Sequence, residues 1–268
     1  MIGAQRRQEI RRAINESGYA DARQLAEKLG VDVSTIRRDL DALSRAGVVQ
    51  RTHGGAIPAS NGEPFDLPYA MRRNDRVAAK QAIAAHAASM IRDGDSLVLD
   101  SGSTTYALAA AINGRRSLTV ATNDLCIAHL LAERGGVRLH VSGGQLIDSV
   151  FTLVGPAALA SLSSMQVDWA FLGADAVDAE AGVTNRNTVE VELKQAMLAG
   201  AAQKVLLADS AKFGRRALAP VVPIQEFDCI VTDDELDPSS RAAYGTALLC
   251  VPVSNGGEGK AAAAGRAR

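Results

Sequence analysis

The stretch Val33-Ser34-Thr35-Ile36-Arg37-Arg38-Asp39-Leu40, followed by Gly47 and then by Arg51-Thr52-His53-Gly54-Gly55-Ala56, decides how this chain is read. Ser34 is an N-cap candidate. Ile36, Leu40 and Leu43 recur at i, i+4 and i+7 and so share an inward face of a helix. Ser34, Thr35, Arg37, Arg38 and Asp41 are left outward. Gly47 breaks the helix. Val48–Thr52 and Ala56-Ile57 then predict a two-stranded wing around His53-Gly54-Gly55. A capped basic helix beside a hairpin with a basic, glycine-rich tip fits a DNA major groove and the phosphates next to it.

The segments upstream agree. A helix is expected from about Gln5 to Ser17, with Ile10 and Ile14 on one face. Asp21 is placed to cap a second helix that Gly30 stops. Residues 1–57 thus read as a winged helix-turn-helix. They hold ten Lys and Arg against seven Asp and Glu, a balance of +3, which leaves −4 for the rest of a chain whose net charge is −1. A basic module on an acidic body is the expected asymmetry. Residues 58–74, with prolines at 58, 64 and 68, read as a linker.

Beyond it the pattern changes. A long helix is predicted over Asp75–Ile91, and then short apolar runs alternate with helical segments. The strand candidates are Ser96–Leu99, Leu118–Ala121, Val137–Val141, Trp169–Leu172, Val205–Ala208, Cys229–Val231 and Leu248–Val251. They lack polar alternation, as parallel strands covered on both faces do. The fold class is therefore α/β, with a larger, mainly parallel domain over 75–252. The Gly- and Ala-rich segment 253–268 reads as a disordered tail.

Several functions are disfavoured. Cys126, Cys229 and Cys250 are odd in number and widely spaced, as structural thiols of a reducing cytoplasm are. No apolar run follows Arg6, Arg7, Arg11 and Arg12, and no uninterrupted 18-residue apolar segment is found, so a soluble, cytoplasmic protein away from membranes is expected. No P-loop, G-x-G-x-x-G or H-E-x-x-H motif occurs. The histidines His53, His86, His129 and His140 have no metal-like spacing, so neither cofactor nor metal is expected.

Ligands of an open α/β sheet bind beyond the carboxyl ends of its strands. The first strand is followed by Asp100-Ser101-Gly102-Ser103-Thr104-Thr105 at a helix start, which is either an ordinary Ser/Thr helix cap or a set of backbone amides and hydroxyls that suits a phosphate. The other ends carry Thr122-Asn123, Ser142-Gly143-Gly144, Gly173-Ala174-Asp175 and Asp209-Ser210-Ala211-Lys212. Lys212 is either a phosphate partner or a solvated lysine. Glu190 and Lys194, at i and i+4 of a helical segment, are either a surface ion pair or part of the same site.

These residues resemble the DeoR family of bacterial transcriptional regulators over about residues 4–235. The resemblance rests on Ser34-x-x-Ile-Arg-Arg-Asp-Leu-x-x-Leu, on the Arg-x-His-Gly-Gly-Ala wing, and on the series from Asp100-Ser101-Gly102-Ser103-Thr104 to Ala208-Asp209-Ser210-Ala211-Lys212-Phe213-Gly214. It implies an N-terminal winged helix and a C-terminal sensor domain related to ribose-5-phosphate isomerase and CoA transferases. It further implies repression of a sugar-catabolic operon and release by a phosphorylated sugar. By that similarity Asp100–Thr105, Asn123, Gly143, Asp175, Glu190, Lys194 and Lys212, with Gly144 beside them, line the effector pocket. Gly182–Asn187 is less typical of the family, and Ala211 stands where serine is common.

The expected DNA contacts are Ser34, Thr35, Arg37, Arg38, Arg51, His53 and Gly54. One of Arg37 and Arg38 reads guanine edges while the other holds a phosphate. A module this small binds weakly alone, so a homodimer or homotetramer reading paired half-sites of double-stranded operator DNA is expected. The competing reading is a sugar-phosphate isomerase fused to a DNA-binding head. Asp175, Glu190 and Lys194 are the residue types that proton transfer beside a carbonyl needs.

Overall fold

The computed structural model describes residues 3–17, 19–45, 48–52, 54–58, 69–112, 114, 116–147 and 150–253. The chain divides into two compact units, 1–75 with 148–150, and 76–147 with 151–268.

The first unit begins with α1 (Gly3–Ser17), β1 (Ala20–Asp21), α2 (Ala22–Leu29), α3 (Val33–Arg45), β2 (Val49–Arg51) and β3 (Gly55–Pro58), with α4 (Tyr69–Asn74) after them. Ile10 and Ile14 of α1 meet Leu25, Ile36, Leu40 and Val49 in one buried cluster. The Asp21 carboxylate accepts from the amides of Arg23 and Gln24, and Gly30 closes α2 in the left-handed region at φ 63°.

Three expectations need correction here. The cap of α3 is Asp32, whose Oδ1 accepts the Ser34 amide at 2.7 Å, so Ser34 sits inside the first turn. Asp-x-Ser is itself an Asx-turn pattern, and Asp competes as well as Ser for a cap. The wing has three strands in the order β1-β3-β2. The added strand, Ala20–Asp21, is too short to carry a period-2 signal. Its pairing explains Gly55, because a Cβ there would lie 2.0 Å from the Ala20 carbonyl oxygen. Tyr69–Asn74 are helical although the segment 58–74 reads as linker, while residues 59–68 and the tail 254–268 lie outside the described residues.

The second unit contains α5 (Val77–Met90), β4 (Ser96–Leu99), α6 (Ser103–Ala111), β5 (Leu118–Thr122), α7 (Leu125–Arg134), β6 (Val137–Val141), β7 (Gln145–Ile147), β8 (Thr152–Val154), α8 (Pro156–Ser163) and β9 (Val167–Leu172). It continues through β10 (Ala176–Asp178), β11 (Gly182–Asn185), α9 (Val191–Ala199), β12 (Ala201–Leu207), β13 (Ala219–Val222), β14 (Cys229–Asp233), α10 (Pro238–Arg241) and β15 (Leu248–Val251).

The seven expected strands form one sheet in the order β15-β14-β12-β9-β4-β5-β6, every pair parallel. Its central strands are buried on both sides. Leu97 and Leu99 join Ile83, Leu108 and Ile127 on one face, while Val98 joins Leu162, Leu193 and Met197 on the other. Covering both faces removes any need for polar alternation. The antiparallel set β10-β11-β13 and the hairpin β7-β8 complete the unit.

Arg76 precedes α5 in the left-handed region, φ 49°. Its Nη2 bonds Ser210 Oγ at 2.8 Å, Asp233 Oδ2 at 3.0 Å and Glu235 Oε2 at 2.8 Å, and Nε lies 3.3 Å from Asp209 Oδ1. These contacts fix the start of α5 to the carboxyl ends of β12 and β14. They also break the continuous helix expected from Asp75, which begins only at Val77.

The order reverses at β4. The chain runs outward from β4 through β5 and β6 in one direction, and through β9, β12, β14 and β15 in the other. The loops after β4 and β9 therefore separate, and a crevice opens between them.

Replacing Gly55 with alanine should destabilise the first unit by about 1–3 kcal/mol, because the strand must move away from Ala20. Urea unfolding of the intact protein followed by far-UV circular dichroism measures this, and an unchanged transition would contradict the close approach.

Candidate functional site

In the first unit, the Asp32 carboxylate is held below its ordinary value by the Ser34 hydroxyl and amide, with Arg38 and Arg37 adding attraction. Ser34, Arg37 and Arg38 are exposed and Thr35 is half-buried, on the side of α3 away from Ile36, Leu40 and Leu43. Asp39 is buried in an ion pair with Arg6 of α1, 2.5 Å apart, which fixes the rotation of α3 about its axis. Gly54 is exposed at the wing. Arg51 is turned inward: Nε lies 3.0 Å from Asp41 Oδ1 and Nη1 donates to the Gly55 carbonyl at 3.1 Å. It braces the wing against α3. His53 lies outside the described residues.

In the second unit, the crevice between the loops after β4 and β9 is an open cleft of about 380 Å³, solvent-facing space included. Lys194 of α9 forms its floor. Its Nζ bonds Asp100 Oδ2 and the Gly173 carbonyl oxygen, the latter at 3.1 Å, and Asp100 Oδ2 also accepts the Gly173 amide at 3.0 Å. Burial pulls the Lys194 ammonium down, but Asp100, Glu190 and Asp175 together outweigh it and raise its pKa, so it stays charged. It is a buried tie rather than half of a surface ion pair.

Glu190 precedes α9, and both its oxygens accept amide donors, from Asn185 Nδ2 at 3.1 Å and Asn187 Nδ2 at 2.8 Å. Burial raises its carboxyl above the usual range, Asp100 and Asp175 add to this, and Lys194 and Asn187 oppose it. Asp175, half-buried on the cleft wall, accepts the Arg186 amide at 3.0 Å. Lys212 reaches the cleft from the short turn Ser210–Lys212. That turn is held by Asp233, whose Oδ1 accepts the Ser210 amide at 2.7 Å and whose Oδ2 accepts the Ser210 hydroxyl at 2.6 Å.

The loop after β4 differs from expectation. Ser101 and Gly102 line the cleft, but the Ser101 hydroxyl and the Gly102 amide both donate to Asp124 Oδ2, at 3.1 and 3.2 Å. Those donors hold the loop instead of facing a ligand. Ser103 and Thr104 line the cleft at the start of α6, whose first turn has no side-chain cap. Thr105 is fully buried and its hydroxyl donates to the Gly102 carbonyl at 2.9 Å. Asn123, Gly143 and Gly144 are not in the cleft wall. Asn123 is buried with Nδ2 on the Leu153 carbonyl at 3.4 Å. Gly143 and Gly144 are exposed after β6, where a Cβ on Gly144 would meet the Val154 carbonyl oxygen at 2.4 Å. Their strands lie on the β5-β6 side of β4, away from the crevice.

Sequence reasoning missed two residues. Asn185 of β11 lines the cleft, and Asn-x-Asn five residues before a helical Glu-x-x-x-Lys was its available signal. Asp124 caps α7 by accepting the Cys126 and Ile127 amides at 2.7 and 2.9 Å while gripping the Ser101-Gly102 loop. An Asp ahead of the apolar run Leu125–Ile127 is a legible cap.

Burial pushes the Asp124 carboxyl up to about 6, against the pull of hydrogen bonds from Ile127, Ser101, Gly102 and Cys126. The folded protein thus keeps this proton at higher pH than the unfolded chain. Its stabilising contribution is complete below about pH 4 and is lost as pH rises through about 6, a change of roughly 3 kcal/mol. Asp124→Asn should remove that component from urea midpoints measured between pH 4 and 7, and a variant with the parent's slope would contradict the assignment.

No helix among the described residues is long and apolar enough to cross a membrane. Partial likenesses occur among solved structures. Ribose 5-phosphate isomerase A from Neisseria gonorrhoeae aligns at 15% identity and TM-score 0.36, covering 51% of this chain and 53% of that one. Eukaryotic initiation factor 2B delta from Chaetomium thermophilum aligns at 20% and 0.41, covering 54% and 52%. Sequence relatives are nearer. The HTH-type transcriptional regulator GlpR of Haloferax volcanii is 32% identical over 94% of this chain and 98% of its own length. The glycerol-3-phosphate regulon repressor of Haemophilus influenzae is 33% identical over 85% and 89%. The DeoR-like helix-turn-helix domain matches residues 6–61, and the DeoR C terminal sensor domain matches residues 75–234. With both domains present in order, the chain belongs to the DeoR family of transcriptional regulators.

Proposed function

We propose that the protein represses a carbohydrate operon and is released from its operator by a phosphorylated sugar. The observation that carries this reading is the polarity of the cleft. Its lining holds donors: the amides of the uncapped first turn of α6, the hydroxyls of Ser103 and Thr104, and Lys212. These suit a phosphate. The same lining holds Asp175, Glu190 and Asn185, which suit hydroxyl groups. Relatives named as glycerol-3-phosphate regulon repressors support a small phosphorylated metabolite.

The same geometry favours a sensor over an isomerase. Proton transfer beside a carbonyl needs a base free to reach the substrate. Glu190 has both oxygens on asparagine amides, and Lys194 is tied to Asp100 and Gly173. Two of the three groups that recommended catalysis, Glu190 and Lys194, are thus committed to holding the cleft's shape, while Asp175 has one oxygen on the Arg186 amide.

On DNA, Arg37 and Arg38 enter the major groove from the exposed side of α3, with Ser34 and Thr35 at its first turn. Gly54 and His53 approach the phosphates. Arg51 acts chiefly by bracing the wing. Two or four copies joined through the second unit read paired half-sites. The sensor acts by its differential affinity for the operator-bound and released states.

Fluorescence anisotropy on the protein's own upstream DNA, titrated with a panel of sugar phosphates, tests the scheme. One of them should release the DNA, while retention against the whole panel would defeat the effector assignment. Arg37→Ala should weaken operator binding by about 1–3 kcal/mol and relax preference at one base position. Parental affinity in that variant would remove Arg37 from the interface. Sedimentation at micromolar concentration should give a dimer or tetramer, and a monomer would refute the paired-head arrangement.

A further inference from the structure

Asn185 is 2% exposed, lines the cleft, and has an Oδ1 with no hydrogen-bond partner among the described residues. Its orientation is fixed. Nδ2 donates to Glu190 Oε2 at 3.1 Å, and a carboxylate oxygen accepts, so the amide oxygen must point the other way. Glu190 is itself locked, because Asn187 Nδ2 holds its second oxygen at 2.8 Å. On the strand, Asn185 pairs with Ala219 of β13, which sets its side. A buried acceptor without a donor is unfavourable, and at a cleft wall a ligand O–H relieves it.

We propose that Asn185 is the specificity residue of the effector cleft, its Oδ1 accepting a hydroxyl from the carbon chain of a polyhydroxylated phosphate monoester; this rests on the effector reading above. The donor groups of the lining bind any phosphate. Asn185 recognises only a ligand that brings an O–H, and a site built to bond a hydroxyl rejects analogues that lack one. The phosphate thus supplies affinity, and Asn185 supplies the choice among phosphate esters.

The test uses the full chain and four probes in isothermal titration calorimetry: glycerol 3-phosphate and ribose 5-phosphate, against propyl phosphate and inorganic phosphate. The parent protein should bind at least one hydroxylated ester about tenfold more tightly than propyl phosphate, the worth of one neutral hydrogen bond. Asn185→Ala and Asn185→Leu should erase that margin and leave propyl phosphate and inorganic phosphate binding within twofold of the parent. An undiminished margin in the variants, or equal losses for all probes in both of them, overturns the role of Asn185 while the effector reading stands. Absence of binding by every probe to the parent overturns both.

Discussion

The contact on which the second unit depends is the buried pair between Lys194 and Asp100. It joins the end of β4, the end of β9 through Gly173, and the middle of α9, at the one place where the sheet reverses order. Its worth is not simple stability, since desolvating two charges offsets much of their attraction. What it supplies is position. A single ammonium faces the carboxylates of Asp100, Asp175 and Glu190. Without it these groups would repel one another, take up protons, and let the cleft walls part.

Two kinds of group in the cleft follow from different physics. The start of α6 acts through backbone. It relies on the partial charge of an uncapped helix start, and Asp124 keeps the loop before it rigid by taking up the Ser101 and Gly102 donors. The acceptors are side chains locked through amide hydrogen bonds, with Asn185 and Asn187 clamping Glu190. A backbone site tolerates many ligands of the right charge, whereas a locked side-chain site discriminates among them.

Much of this was legible from residues alone. The helix of Ile36, Leu40 and Leu43, the cap at Asp21 and the stop at Gly30 depend on local rules, and each appears as read. The seven parallel strands were legible because burial on both faces leaves continuous apolar runs. The added strand at Ala20–Asp21 and the antiparallel set β10-β11-β13 were not, since short pairings are decided by partners remote in sequence. Asp175 and Lys212 follow strands on the correct side of the reversal and join Glu190 and Lys194 of the α9 segment in the cleft lining, with Asp100 bonded to Lys194. Asn123, Gly143 and Gly144 carry the same kind of turn signal but follow strands on the other side. Strand order, which one sequence does not state, separates the two groups. Ser34 and Arg51 show the same limit on a smaller scale: residue type pointed to DNA, while Asp32 and Asp41 set their actual bonding.

The strand order also governs assembly in time. Leu97 of the central strand pairs with Trp169, so the sheet cannot close at its middle until β9 has been synthesised, whereas the buried cluster of Ile10, Ile36 and Val49 is built from neighbours in sequence. Chains emerge from the ribosome N-terminus first, and parallel pairings across long loops form slowly. Each newly made molecule therefore passes through a period in which that cluster has all its partners while the sheet that carries the cleft is still open at its middle.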